Sequence, residues 1–170
     1  AGASGGAKMP VVFAAHGAPM LLDDAAWMAE LAAWARALPR PRAVLMLSAH
    51  WEAHPTTLGA TTPVPLIYDF YGFPEKYYRT RYAAPGAPDV ALRVRQLLDA
   101  AGLKHADDPA HGLDHGAYVP LIGMYPAADV PVLQVSLPLL EPRLLHALGR
   151  TLAPLRDEGV LVFEIGRAHV

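Results

Sequence analysis

The chain has 170 residues, of which 53% are hydrophobic, with a formal net charge of -2 and no cysteine. This length suits one domain with a sizeable core, and the lack of cysteine excludes disulfides and thiolate metal ligands, leaving His, Asp and Glu. The basic residues are scattered, no apolar run approaches the roughly 18 residues of a membrane span, and no secretory signal is recognisable, so we expect a cytoplasmic protein with a small-molecule ligand, no nucleic-acid partner and no membrane partner.

The two ends of the sequence differ in character from the segment between them. Residues 1–8 are small and Gly-rich and precede Met9, and we predict a non-native or disordered leader there. Residues 164–170 include Ile165–Val170, which part of a common sequencing adapter can encode, and we predict an adapter-derived tail. The predicted catalytic domain is therefore 9–163, and we expect it to be incomplete at its C-terminal end.

Two apolar runs near the N-terminus each lead into a histidine. Pro10–Ala15 leads into His16, and Ala43–Leu47 leads to His50 after two small residues. Continuous apolar runs of this length are typical of strands covered on both faces, as in a parallel sheet. Between them, aspartates at positions 23 and 24 cap a helix with apolar residues at helical spacing, which completes a strand–helix–strand unit.

The remaining segments continue the alternation of strands and helices. They are an edge strand and loop over Thr56–Pro65, a helix capped by Asp89 and ended by Gly102, a short helix at Val119–Ile122, a strand at Val130–Leu137, a helix at Pro142–Leu155 and a strand at Gly159–Phe163. This alternation predicts an α/β fold with a mostly parallel central sheet and helices on both faces. Ligands bind beyond the carboxyl ends of strands in such sheets, so we place the active site at that rim.

Three histidines, His16, His50 and His115, are the candidates for chemistry. Each has a glycine or another small residue beside it, which lets backbone or ligand approach closely. For any one of them alone, a buried histidine satisfied by a hydrogen bond is the more common case, whereas together they favour a metal or catalytic site. Two imidazoles supply half of a zinc or iron site. The carboxylate candidates for a further ligand are Glu52, Asp69 and Asp114, and Asp114, beside His115, could instead orient a ring or cap a turn.

Several other enzyme classes are disfavoured because their motifs are missing. The sequence has no nucleophile elbow, no P-loop and no Gly-rich dinucleotide fingerprint. Serine hydrolases, NTPases and NAD enzymes therefore rank below a metal site.

Short motifs along the chain are distinctive in combination. They are Phe13–Pro19, Leu47–Trp51, Ile67–Pro74, Tyr82–Gly86, Gly112–Gly116 and Gln134–Ser136. This set resembles the class III extradiol ring-cleavage dioxygenases, in particular their DOPA 4,5-dioxygenase-like branch, which is related to the protocatechuate 4,5-dioxygenase catalytic subunit. The resemblance extends from Met9 to Phe163.

The resemblance implies a mononuclear non-haem iron(II) site, with Zn2+ possible in place of Fe2+, and extradiol cleavage of a small aromatic diol by O2. It implies that His16 and His50 are metal ligands, and that His115 is a catalytic residue that hydrogen-bonds the substrate or oxygen. A further family histidine has no equivalent assigned here, because His169 falls near its position but out of register and within the suspected tail.

Four residues near these histidines are predicted to bind the substrate: Trp51, Asp69, Phe70 and Phe73. The aromatic residues among them could wall the substrate ring, and core packing explains them equally well. Two other interpretations of the chain stay open: a metal-binding protein of the same fold without oxygenase activity, and a zinc-dependent hydrolase.

Overall fold

The chain folds into one sheet with helices on both faces. The structure, a computed structural model, describes residues 8–16 and 18–167, and it describes His16 and Arg167 through their backbone alone. The strands in this part of the chain are β1 Val11–His16, β2 Ala43–Glu52, β3 Thr56–Leu58, β4 His105–Asp107, β5 Val132–Leu137 and β6 Val160–Arg167. Their order across the sheet is β1-β6-β2-β5-β3-β4.

The helices connect these strands. The α-helices are α1 Ala25–Ala37, α2 Glu75–Tyr78, α3 Pro88–Ala100, α4 His115–Met124 and α5 Pro142–Leu152, with 3-10 helices at Pro19–Asp23 and Ala153–Glu158. Among the described residues, none of the helices is both long and apolar enough to cross a membrane.

The pairing of the strands confirms the predicted α/β fold with a mostly parallel sheet. β6 is parallel to both β1 and β2, and β2 is parallel to β5. β3 is antiparallel to β5. The prediction that β3 is an edge strand is wrong, because the three-residue β4 pairs with its outer side. A strand this short carries too little alternation for the sequence pattern to reveal it.

Two apolar layers cover the two faces of the sheet. Val44 and Met46 of β2 belong to a core cluster with residues of α1 and α4, while Leu45 and Leu47 belong to a cluster with residues of α3 and α5. Successive strand residues point to opposite faces, so a strand covered on both faces must be apolar throughout. This explains the continuous apolar run that leads to His50.

The ends of two helices follow capping chemistry. The Asp24 side chain accepts a hydrogen bond from Trp27 N at 3.0 Å, which confirms Asp24 as the N-cap of α1. Gly102 follows the end of α3 with a φ of +66°, which confirms the predicted glycine stop. The cap predicted at Asp89 is wrong: α3 begins at Pro88, and Asp89 lies in its first turn, where it pairs with Arg42.

Three predicted boundaries near the C-terminal end also need correction. α4 is longer than the predicted Val119–Ile122. It is buried nearly all round, so its sequence shows no amphipathic period from which its ends could be predicted. The helix predicted to end at Leu155 ends at Leu152 and continues as a 3-10 helix. β6 runs beyond Phe163, so residues 164–167 of the suspected tail pair within the sheet. The adapter origin of residues 164–170 stays a prediction, and residues 168–170 lie outside the described part of the chain.

Candidate metal centre

The end of β2 and the beginning of α4 bring two histidines together. His50 is near the carboxyl end of β2, on the face that α4 covers, and His115 is the first residue of α4. The ring centroids are 4.2 Å apart, with the ring planes tilted by 56°. The side chains are 18% exposed for His50 and 8% for His115, so the pair lies at the rim of the sheet, within reach of a ligand.

Asp69 joins the two imidazoles. Its Oδ1 accepts hydrogen bonds from the backbone N–H of His115 at 3.1 Å and from His115 Nδ1 at 2.7 Å. Its Oδ2 lies 3.2 Å from His50 Nδ1. The segment that carries Asp69 is fixed beside α4 because Ile67 N donates to Leu113 O at 2.9 Å. One carboxylate therefore contacts both rings.

The hydrogen bonds to Asp69 keep it ionised. Burial by itself would raise the pKa of this carboxyl, but the hydrogen bonds from the ring and the backbone of His115 outweigh burial, and the pKa of Asp69 lies below its usual range. A carboxylate at both Nδ1 atoms favours the tautomer with the proton on Nδ1. In that tautomer the lone pair of each ring is on Nε2, the arrangement typical of metal-binding histidines held by a carboxylate.

The donor atoms of this cluster suit a transition metal. His50, Asp69 and His115 each offer one ligand atom, and these atoms lie within 4.8 Å of one another. With Asp69 holding the Nδ1 atoms, each imidazole offers Nε2, a donor that iron(II) and zinc both accept, and Asp69 orients the rings as their outer partner. The residues of the cluster therefore fit the kind of metal that the resemblance implies.

The second predicted ligand, His16, is placed only by its backbone, since its side chain lies outside the described part of the structure. His16 ends β1 and pairs with Arg167, two residues after the Ile165 that pairs with Ser48. Ala14 of β1, which also pairs with Ile165, is therefore level with Ser48, two strands away or about 9–10 Å at the usual spacing of strands, and beyond Leu47 the register of β2 against β5 shifts. The metal-ligand roles of His16 and His50 and the catalytic role of His115 stay predictions.

The predicted substrate-binding residues lie at different distances from the cluster. Phe70 contacts the His115 ring edge-to-face, with centroids 5.6 Å apart, and Phe73 contacts Phe70 at 5.5 Å. Trp51 lies elsewhere: it is the neighbour of His50 on β2, and its ring stacks on His111 at 3.6 Å. Substrate binding by Trp51, Asp69, Phe70 and Phe73 stays a prediction, and Phe70 has the most direct contact with the cluster.

A cavity of about 580 Å³ lies beside the cluster rather than over it. Its lining includes Tyr68, Arg81, His111 and Gln134, but it does not include His50, Asp69 or His115. The cavity and the predicted metal centre are therefore neighbouring features of the same face.

Sequence reasoning gave no role to a buried polar network behind the histidines. Asp114 Oδ1 accepts hydrogen bonds from Ser48 Oγ at 2.9 Å and Ala117 N at 3.0 Å, and Asp114 Oδ2 accepts one from Gln134 Nε2 at 2.5 Å. Asp114, a carboxylate candidate for the metal, is the N-cap of α4, which confirms the alternative prediction that it caps a turn. The signal that could have revealed the network is polar side chains within apolar strands: Ser48 and Gln134 are 0% and 2% exposed.

Relatives with known names share most of this chain. A 4,5-DOPA dioxygenase extradiol of Beta vulgaris is 43% identical over 162 residues, which are 92% of this chain and 60% of the relative. The 4,5-DOPA dioxygenase extradiol of Escherichia coli K12 is 41% identical over 161 residues, covering 94% of this chain and 59% of that protein. The chain thus spans about 60% of the length of these relatives.

The fold and the family model agree with these similarities. The crystal structure of an uncharacterized Escherichia coli K12 protein is similar with a TM-score of 0.75 and 37% identity, over 93% of this chain and 59% of that one. Residues 10–168 match the model of the catalytic LigB subunit of aromatic ring-opening dioxygenase. With its parallel sheet and its His–Asp–His cluster at the strand ends, the chain belongs to the LigB family of aromatic ring-opening dioxygenases.

Proposed function

We propose that this chain carries the metal-binding part of an extradiol dioxygenase that opens the ring of a catechol with O2. The observation that supports this most strongly is the His50–Asp69–His115 cluster at the strand ends of a chain of this family. The names of the relatives point to a DOPA-type catechol cleaved between ring positions 4 and 5. The chemistry joins both atoms of O2 to the two ring carbons whose bond breaks, and leaves an aldehyde and a carboxylate.

The metal that we propose is iron(II), with zinc able to occupy the same donors. His50 would hold it together with His16, the two ligands that the resemblance assigns. When bound, the metal would supply Lewis-acid chemistry toward the catechol and a route for electron density from the substrate to O2. The family resemblance and the donor set of the cluster support this proposal.

The residues around the metal position protons and the aromatic ring. The Asp69 carboxylate accepts the Nδ1–H of His115, so His115 Nε2 can take a proton from a catechol hydroxyl while Asp69 stabilises the positive charge on the ring. His115 can return that proton to an oxygen of the product. Phe70, which packs on His115, provides an apolar surface for the substrate ring.

The test is to load the purified chain with iron(II) under argon, add L-DOPA and then admit O2. We expect O2 consumption in equal amount to substrate, a yellow ring-opened product, and one atom of isotopically labelled O2 in its new carboxylate, since the aldehyde oxygen exchanges with water. A chain that binds iron(II) but forms no product would instead be the metal-binding protein without oxygenase activity. Ester or amide hydrolysis with zinc in the absence of O2 would identify a hydrolase.

Histidine variants separate the proposed roles. His50→Gln should lose iron(II) binding and turnover together. His115→Gln should keep iron(II) affinity within a few-fold and lower turnover by about 10²–10⁴, the usual contribution of an acid–base residue. His146→Gln, at an exposed position of α5, is the matched control and should change neither. Equal loss of iron(II) affinity in His50→Gln and His115→Gln would show that His115 is a ligand.

A further inference from the structure

Ser48 ties the strand that carries His50 to the helix that carries His115. Its hydroxyl donates to Asp114 Oδ1 at 2.9 Å and accepts from the backbone N–H of His50 at 3.2 Å. Ser48 is fully buried, so water does not compete for either bond. The position of the His50 backbone is thereby coupled to the residue that precedes His115.

Asp114 is connected on its other side to β5. Gln134 Nε2 donates to Asp114 Oδ2, and Gln134 Oε1 accepts from the backbone N–H of Asp114 at 3.3 Å. Both side chains are 2% exposed. The carboxylate also accepts from Ala117 N as the cap of α4. Three hydrogen bonds, one to Ser48 and two to Gln134, therefore fix the N-cap of α4 relative to both β2 and β5.

The space that this network leaves is very small. A Cβ on Gly116 would lie 2.7 Å from Ser48 Oγ, 2.9 Å from His50 Cδ2 and 3.0 Å from Asp114 Oδ1. These distances are shorter than ordinary van der Waals contacts, so α4 approaches β2 this closely only because residue 116 has no side chain. The network and the glycine together determine how near the His50 and His115 rings are.

We propose that Ser48, Asp114 and Gln134 are positioning residues, which hold His50, the proposed metal ligand, and His115, the proposed acid–base residue, at their 4.2 Å ring separation. A capping residue alone would not need a link to the strand that carries His50, and a core residue alone would not need a charge. The contacts of Ser48, Asp114 and Gln134 support their positioning of the two rings, and the consequence for metal binding rests on the proposed function.

The first test compares the same substitution at two helix caps. Asp114→Asn keeps an oxygen for Ser48 and Ala117, but its new NH2 group faces Gln134 Nε2, donor against donor. Turning the Gln134 amide moves that donor–donor contact to the backbone N–H of residue 114. Asp24→Asn replaces the N-cap of α1, which does not touch the cluster. Because α4 packs against the His50 ring at Gly116, we expect Asp114→Asn to weaken Co(II) binding about 10-fold, the low end of the range for groups that orient a metal ligand, and Asp24→Asn to leave it unchanged.

The second test restores the network with its donors and acceptors exchanged. In Asp114→Asn/Gln134→Glu, the amide of residue 114 donates to one oxygen of residue 134, whose other oxygen accepts the backbone N–H of residue 114. The net charge is unchanged. We expect the double variant to regain Co(II) affinity to within a few-fold of the parent and to regain the parent's visible absorption spectrum, which reports on coordination geometry.

A third measurement needs no metal. In the metal-free chain, an NOE between the ring protons of His50 and His115 reports their 4.2 Å centroid separation. Ser48→Ala, which keeps the cap intact, should weaken or abolish it, and so should Asp114→Asn, while the double variant should restore it. If both single variants keep the inter-ring NOE, or both bind Co(II) as the parent does, the inference is wrong. If the parent itself binds no Co(II), the proposed metal centre fails, and the NOE still decides the positioning role.

Discussion

A methyl group added at Gly116 is expected to disturb the metal centre from within the core. The new Cβ would meet Ser48 Oγ at 2.7 Å and His50 Cδ2 at 2.9 Å. Ser48 is fully buried and hydrogen-bonded, so the strain falls on the His50 ring or on the spacing of α4 and β2. Overpacking costs about 1–3 kcal/mol, against a gain of at most about 1 kcal/mol for alanine over glycine in a helix. Gly116→Ala should therefore lower the free energy of unfolding by about 0–2 kcal/mol.

Gly149 of α5 provides the matched control for this substitution. No atom lies within 4 Å of a Cβ placed on Gly149, so Gly149→Ala should raise the free energy of unfolding by up to about 1 kcal/mol. Urea unfolding of the two metal-free variants isolates the overpacking cost as their difference, about 1–3 kcal/mol. Co(II) titration should show weaker binding for Gly116→Ala alone. Equal stabilisation by the two substitutions would refute the close approach of α4 to β2.

Three further outcomes are expected away from the metal centre. Burial raises the pKa of Tyr82 well above its usual range, so its hydroxyl stays protonated and donates to Tyr125 O at 3.0 Å; because Tyr125 O also accepts from Ala128 N, Tyr82→Phe should cost only about 0.5–1.5 kcal/mol in urea unfolding. Burial lowers the pKa of His111, so the folded state favours the neutral ring. The contribution of His111 to the free energy of unfolding is therefore complete above about pH 6.5 and falls as the pH drops through the lowered pKa. His111→Gln should reduce this pH dependence in unfolding curves. Ser136 Oγ joins Thr57 N at 2.8 Å to Ala53 O at 3.0 Å, and Ser136→Ala should cost about 1–3 kcal/mol, with no change in Co(II) affinity.

The parts of the fold that were predictable are those with a repeating pattern. The run Ala43–Leu47 is apolar at every position because β2 is covered on both faces, and the spacing of apolar residues in α1 follows from its single buried side. α4 was underestimated because it has no such side, and β4 was missed because three residues make no period. Pattern therefore predicts buried strands with a continuous apolar run and helices with one buried side, and it fails for a helix buried on all sides and for a strand of three residues.

The residues of the site were predictable from the sequence, but their contacts with one another were not. The sequence and the family resemblance pointed to His50, Asp69 and His115, and the structure brings these three together. The contact of Asp69 with both rings could not be predicted, since it depends on the pairing of residue 67 with residue 114 across a long loop. The stacking of Trp51 on His111 could not be predicted either, because the sequence does not show which segment covers the face of β2 on which Trp51 lies.

The position of β6 in the sheet has a consequence for how the molecule is made. Val11 of β1 pairs with Val162, so at roughly 5–20 residues per second of synthesis about 8–30 s separate the two. Until β6 is synthesised, the nascent β1 has no partner strand in the described sheet. Phe13, which is 62% exposed even in the folded chain, adds to the tendency of β1 to pair with other chains. Contacts this distant in sequence also slow folding. Ala14 of β1 and Ser48 of β2 become level only when β6, which pairs with both through Ile165, inserts between these strands.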